Sequence, residues 1–229
     1  EKTQRIQWRK SALATAKSLL EKQEKAYWKN LMARLKKEIE DPFFNAQFPE
    51  HNFPNQKVLT KVSYRNRDHV YWKLYKVKPD ESFNFLYQKE KALKLLAKLQ
   101  IINRGKWDLL GSEDLFDHSM DFLLPELEAG NYILALSSND TIRNTSELEF
   151  TFFNTSNISV LNRRPVENGG LEWRVLDAKS GRGLEDATVQ LFFRQYNFQK
   201  RQQEYTKGTK ITTDENGFCR WLNGRDKKQ

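Results

Sequence analysis

Three histidines, one cysteine and a few close pairs of acids are the residues of this 229-residue chain that could carry catalysis or hold a metal. His51, His69 and His118 stand far apart, and none belongs to a His-x-x-x-His or Glu-x-x-His spacing that would aim two ligands at one point. Asp117-His118-Ser119 holds the residue types of a hydrolytic triad in consecutive positions, but a strand there turns His118 away from both neighbours. Gly181-Arg182-Gly183 lacks the third glycine and the helix start of a dinucleotide loop, so it reads as a turn. Acid pairs such as Glu185-Asp186 or Glu126 and Glu128 occur throughout a chain that is 30% charged, and nothing in the sequence converges them. Cys219 has no second cysteine for a disulfide and, beside Phe218 and Trp221, reads as a small strand residue. The expectation is a chain that is not an enzyme, with no catalytic residue, no cofactor and no metal.

Binding chemistry has one candidate. Arg194, Tyr196, Phe198, Lys200 and Arg201 mix aromatic rings with cations over eight positions, a combination that can hold a partner or a sugar by stacking and cation–π attraction. The same residues also fit a long edge hairpin whose charges discourage sheet-to-sheet association. The net charge of +9 is uneven: residues 1–40 hold eleven Lys or Arg against five acids, and residues 200–229 hold eight against four. No arginine-rich run or glycine-punctuated aromatic motif accompanies it, so a solvated helix face is expected and nucleic acid is not.

The elements that must position these residues follow from periodicity. Aromatic content of 13% gives ample apolar surface to bury, so the chain folds. Arg5 to Glu40 contains no Pro or Gly, and Ile6, Leu13, Ala16, Leu20, Tyr27, Leu31, Leu35 and Ile39 recur at helical steps. Asp41-Pro42 ends this region, which reads as one long helix or, divided at the polar gap near Glu21 to Glu24, as a helical hairpin, packing on the next domain or on upstream helices. Then the period becomes two: Val58, Thr60, Val62 and Tyr64, a turn at Arg65 to Asp68, and Val70, Trp72 and Leu74 predict a β-hairpin. Leu86, Leu93, Leu96 and Leu99 predict an inserted helix at about 85–103, with a turn at Gly105-Lys106-Trp107-Asp108. Strands resume near Ser119, Asn131 and Leu148. The polar run Asn162 to Gly170 marks a boundary, beyond which strands flank turns at Asp177–Gly183 and Asp214–Gly217. No run of about 18 apolar residues crosses a membrane.

Leu127-Glu-Ala-Gly130-Asn-Tyr132 resembles a strand opening found in macroglobulin domains and other sandwiches, in which Gly turns the chain and Tyr bonds backbone at the corner. Val175 to Val189, with its Asp177…Gly181 turn, followed by Thr213-Asp214-Glu-Asn-Gly217, looks like the opening of a macroglobulin domain and also like transthyretin-like regulatory domains. The order of elements, with Asn52-Phe-Pro-Asn55, Val62-Ser-Tyr64 and Val70-Tyr-Trp72 between them, is similar to large alpha-2-macroglobulin-like proteins of Bacteroidetes.

The resemblance implies a mainly β chain with α: a helical lead-in at 1–42, an immunoglobulin-like macroglobulin sandwich at 43–162 with its helical insertion, and a second, incomplete one at 163–229. It implies a non-catalytic scaffold of a periplasmic or membrane-associated Gram-negative envelope protein that traps or inhibits proteases. Partners would be proteases, through the full-length parent, and other domains of the same chain; any membrane contact would lie in other parts of the parent. The thioester of some members needs Cys-x-Glu-Gln, and Leu222 stands where Gln should follow Cys219. A module of a surface adhesion, carbohydrate-binding or outer-membrane transport protein fits the Asp177 block equally well. Asp140-Thr141-Ile142 further resembles a short O-glycosylation acceptor of Bacteroidetes envelope proteins.

Overall fold

The computed structural model describes residues 2–22, 26–78, 89–111, 114–142, 148–164, 170–199 and 201–222. Two helices open the chain, α1 (Lys2–Lys22) and α2 (Ala26–Glu40), packed on one another with Lys17 and Glu40 ion-paired. Their contribution to the core is small. Ala16 and Ile39 are buried, whereas Tyr27 and Leu31, expected on the packed face, lie exposed. What ties α2 down is its C-terminus. The last carbonyls of a helix lack partners within it, and here Asn66 Nδ2 donates to the Ile39 and Glu40 carbonyls at 3.0 and 2.9 Å. Asn66 sits at φ +53°, a left-handed conformation that Asn tolerates better than most residues.

Seven strands build the first sandwich. One sheet holds β1 (Phe43–Gln47), β2 (Lys57–Arg65) and β5 (His118–Glu126) in the order β1-β2-β5. The other holds β3 (His69–Val77), β4 (Ile101–Asp108), β6 (Gly130–Ser137) and β7 (Leu148–Thr155) in the order β4-β3-β6-β7. Every pairing is antiparallel. Val58, Val62, Tyr64 and Leu124 from the first sheet meet Val70, Trp72, Leu74, Leu134 and Leu136 from the second in one continuous core. The four-stranded sheet is buried on its outer face too. There Tyr75, Val77, Ile133 and Ala135 lie under α3 (Lys89–Leu96), which supplies Leu96 and Leu93, while Lys89 pairs with Glu149 of β7.

Three expectations need correction. β2 and β3 do not form a hairpin: β2 pairs with β1 and β5, and β3 with β4 and β6. Residues 66–68 form an arch between sheets. Alternation fixes which side chains are buried but not the strand they pair with, and both strands point their buried residues into the same gap from opposite sides. The described helix of the insertion is also shorter than expected, ending at Leu96, and the segment read as a turn at Gly105 is the interior of β4. Gly105 is there for room: a Cβ at this site would lie 2.8 Å from the Trp72 indole.

Beyond Thr155 the chain enters a second β unit. β8 (Ile158–Arg163), β9 (Leu171–Asp177) and β12 (Phe218–Trp221) form a sheet in the order β12-β9-β8, and β10 (Thr188–Asn197) pairs with β11 (Gln202–Thr212) as a long hairpin. β8 precedes the polar run taken as the boundary, yet pairs along its whole length with β9 on the far side. Among its described residues Val175, Leu191 and Cys219 are the buried apolar ones, far fewer than in the first sandwich.

Candidate functional site

The two turns read from the sequence in this second unit are clasped together. Asp177 Oδ1 accepts from the Lys179 amide at 3.2 Å and from the Ser180 amide and hydroxyl at 2.7 Å each; these donors, Ser180 first, hold its carboxyl below the ordinary carboxylate range. Asp214 Oδ1 accepts from the Asn216 and Phe218 amides at 2.9 and 2.8 Å. Gly181 and Gly217 take φ +70° and +72° to close them. Between the turns, Val175 N donates to the Gly217 carbonyl (2.7 Å) and Leu184 N to the Val175 carbonyl (2.9 Å). Buried Thr213 accepts from Ala187 N (2.9 Å) and donates to the Leu184 carbonyl (2.5 Å). The Asp, Gly and Thr of the motif therefore serve backbone geometry and leave no side chain poised for chemistry.

From this clasp the β10–β11 hairpin projects. Its register skips between Gln190/Lys210 and Phe192/Lys207, so β11 carries an extra residue at Gly208-Thr209. Gln190 Nε2 fills that bulge, donating to the Gly208 carbonyl at 2.9 Å. Gly208 has no Cβ because the Phe193 ring occupies the space, at 2.2 Å from where one would stand, and Phe193 in turn leans on Trp221 with ring centroids 5.5 Å apart. With Leu191 and Phe193 turned inward, strand alternation sends Phe192, Arg194 and Tyr196 to the opposite face, beside Lys207, Tyr205 and Gln203 in the ladder.

The expected site residues are thus brought together in part. Arg194 and Tyr196 share the outer face, and Phe198 and Arg201 stand in the connection, Arg201 at φ +49°. Phe198 is 84% exposed and Tyr196 46%, their rings meeting edge to face at 5.0 Å and 82°. Asn197, on the inner face, donates to Glu204 across the strands at 3.0 Å. Lys200 lies outside the described residues.

The histidines go to separate partners. His69 bonds Asp68 at 2.7 Å, His51 is exposed, and His118 bonds Asp114 at 2.7 Å while Asp117 turns to Arg65 at 3.2 Å. Among the described residues no cluster of three His, Cys, Asp or Glu could hold a metal. Burial, and then the Asp214 charge, raise the Cys219 thiol above its ordinary value. Tyr132 bonds at the corner as its motif suggests, donating to the Glu128 carbonyl at 2.8 Å, and Asn52 and Asn55 pin the preceding loop by backbone bonds to Ser156 and Leu127. A feature with no sequence signal is an open groove of about 590 Å³ lined by Gln4, Arg5, Trp8, Arg9 and Phe116, in which both arginines stack on the Phe116 ring at 5.7 and 4.7 Å.

This arrangement of sandwiches has solved counterparts. The fold is that of bacterial alpha-2-macroglobulin domains. A crystal structure of native alpha-2-macroglobulin from Escherichia coli spanning domains NIE-MG1 superposes with a TM-score of 0.53 at 20% identity, over 81% of this chain and 88% of that one. A longer structure of the same protein, spanning MG0-NIE-MG1, gives the same score and identity over 80% of this chain and 58% of that one. No sequence profile of a protein family matches this chain, and no curated protein matches it. Among the described residues no helix is long and apolar enough to cross a membrane.

Proposed function

We propose that this chain is a non-catalytic scaffold segment of a cell-envelope alpha-2-macroglobulin-like protein whose parent traps or inhibits proteases. The observation that carries the reading is the likeness to the NIE-MG1 segment over four-fifths of this chain. The physical character of the molecule agrees with it. Its motif residues, Asp177, Gly181, Asp214, Gly217 and Tyr132, are used to hold turns and corners. The Bacteroidetes type rests on the order of sequence motifs alone. On this reading the segment works in the periplasm or at its membranes, its neighbours are further domains of the same chain, and proteases meet it through the parent.

The test is to incubate the full-length parent with a panel of proteases and follow activity on a large and a small substrate. Retained activity on the small substrate with loss on the large one is the expected result. Proteolysis of the parent with both activities intact would refute the trap.

A further inference from the structure

The β10–β11 hairpin carries Phe198 and Arg201 in its connection, with Tyr196 and Arg194 on the outer face of β10 behind them. Over residues 188–212 there are five Lys or Arg and one acid, Glu204, which Asn197 engages on the inner face. Phe198 crowns the connection at 84% exposure, an uncommon place for a large apolar ring, while Tyr196 stands behind it and Arg201 beside it. A strand advances about 3.3 Å per residue. Tyr196 is therefore set back from the apex by roughly 7 Å and Arg194 by roughly 13 Å. From the connection back along β10 the order of depths, Phe198 ring first, Tyr196 phenol next and Arg194 guanidinium last, matches the passage from acyl boundary through headgroups to the aqueous face of a bilayer, where interfacial segments sink about 5–10 Å. A long arginine such as Arg201 extends its head toward the phosphates.

We propose that this hairpin docks the chain on an anionic lipid surface, Phe198 and Tyr196 entering the headgroup layer and Arg194 and Arg201 meeting lipid phosphates. The inference does not rest on the protease-trap reading, and it moves a membrane contact into this segment, where the sequence had placed it elsewhere. One observation favours lipid over a stacked ligand of a cationic aromatic surface. The Tyr196 and Phe198 rings are nearly perpendicular, at 82°, so they offer no shared platform on which a sugar or base could stack.

The experiment is co-sedimentation of the whole 229-residue chain with phosphatidylcholine vesicles with and without phosphatidylglycerol. Binding is expected only with the anionic lipid. Loss of one cation near such a surface costs about fivefold in affinity, from about 1 kcal/mol per charge, so Arg201→Gln should weaken binding about fivefold. Phe198→Ser should weaken it by about tenfold through lost apolar burial. Phe198→Trp should add fluorescence that brominated lipids quench beyond the wild-type level. An exposed apex makes these changes neutral for folding, which circular dichroism verifies.

Equal vesicle binding by wild type and Phe198→Ser would overturn the proposal, leaving only the attraction of a basic protein for any anionic surface. So would absence of added quenching in Phe198→Trp, or binding to a soluble sulfated polymer that falls as steeply on Phe198→Ser as binding to vesicles.

Discussion

Two glycines with the same backbone angle allow dihedral strain and close packing to be measured apart. Gly181 and Gly217 lie at φ +70° and +72°, where an L-residue costs about 1–2 kcal/mol. A Cβ on Gly181 would have nothing within 4 Å, so Gly181→Ala should cost about 1 kcal/mol, the strain partly offset by a less flexible unfolded chain. At Gly217 the same Cβ would stand 2.2 Å from the Val175 carbonyl oxygen and 2.8 Å from Leu184 N. Those are backbone atoms, and they belong to the bonds that join the two turns. Relief requires the turns to separate, which loses the Val175–Gly217 and Leu184–Val175 hydrogen bonds at about 1 kcal/mol each or more where the freed groups stay buried. Gly217→Ala should therefore cost about 3–5 kcal/mol. Hydrogen exchange resolved by peptide is the assay, because the chain has two β units and a single melting curve would mix them. Protection over β9 and β12 should fall far more in Gly217→Ala than in Gly181→Ala, with β3 and β6 unchanged. Equal losses in the two variants would refute the argument that backbone contact, and not conformation, selects glycine at 217.

Tyr64→Phe should lower the stability of the first sandwich by about 2–3 kcal/mol in urea unfolding, because the buried hydroxyl both donates to the Leu110 carbonyl at 2.5 Å and accepts from its amide at 3.0 Å. Asn66→Ala removes both side-chain bonds to the end of α2 and a residue suited to positive φ, so exchange in α2 should accelerate while the sheets keep their protection. Because the Asp177 carboxyl is held below its ordinary value, its contribution is present above the unfolded pKa and lost as pH falls through the lower folded one. The Lys179 and Ser180 amides should then lose protection in acid, and Asp177→Asn should flatten that dependence. Cys219, buried and with a raised pKa, should react with a thiol reagent at neutral pH only after denaturant is added.

Burial was legible where one face of a strand is dry. Val58, Thr60, Val62 and Tyr64 announced β2 by alternation, and the same pattern marked β3. β1 was missed because five residues with three apolar ones give too short a period, and β4 because it is an exposed edge whose Gly105 looks like a turn until Trp72 is seen beneath it. Pairing was legible for the β10–β11 hairpin but not across the core of the first sandwich. A tight turn between alternating strands is written alike for a hairpin and for an arch, and only the choice of partners across the core decides it. The turns at Asp177 and Asp214 could be placed from residue types alone, since Asp, Gly and Thr report local backbone bonds, but their mutual contact depends on the fold. The aromatic and basic character of the hairpin was visible in sequence, while the perpendicular rings and the inward turn of Phe193 were not.

The arch between β2 and β3 bears on how the chain acquires its structure. Since these neighbours in sequence sit in opposite sheets, β2 must find β5, pairing Val58 with Leu124, and β3 must find β6, pairing Leu74 with Leu134, before either sheet is complete. Long loops must close before such contacts repay their entropy, which slows folding. β10 and β11, joined by a few residues, need no such search. The β10–β11 hairpin is thus the topologically local part of a molecule whose core is not, and its pairing depends far less on the closure of long loops than that of the first sandwich.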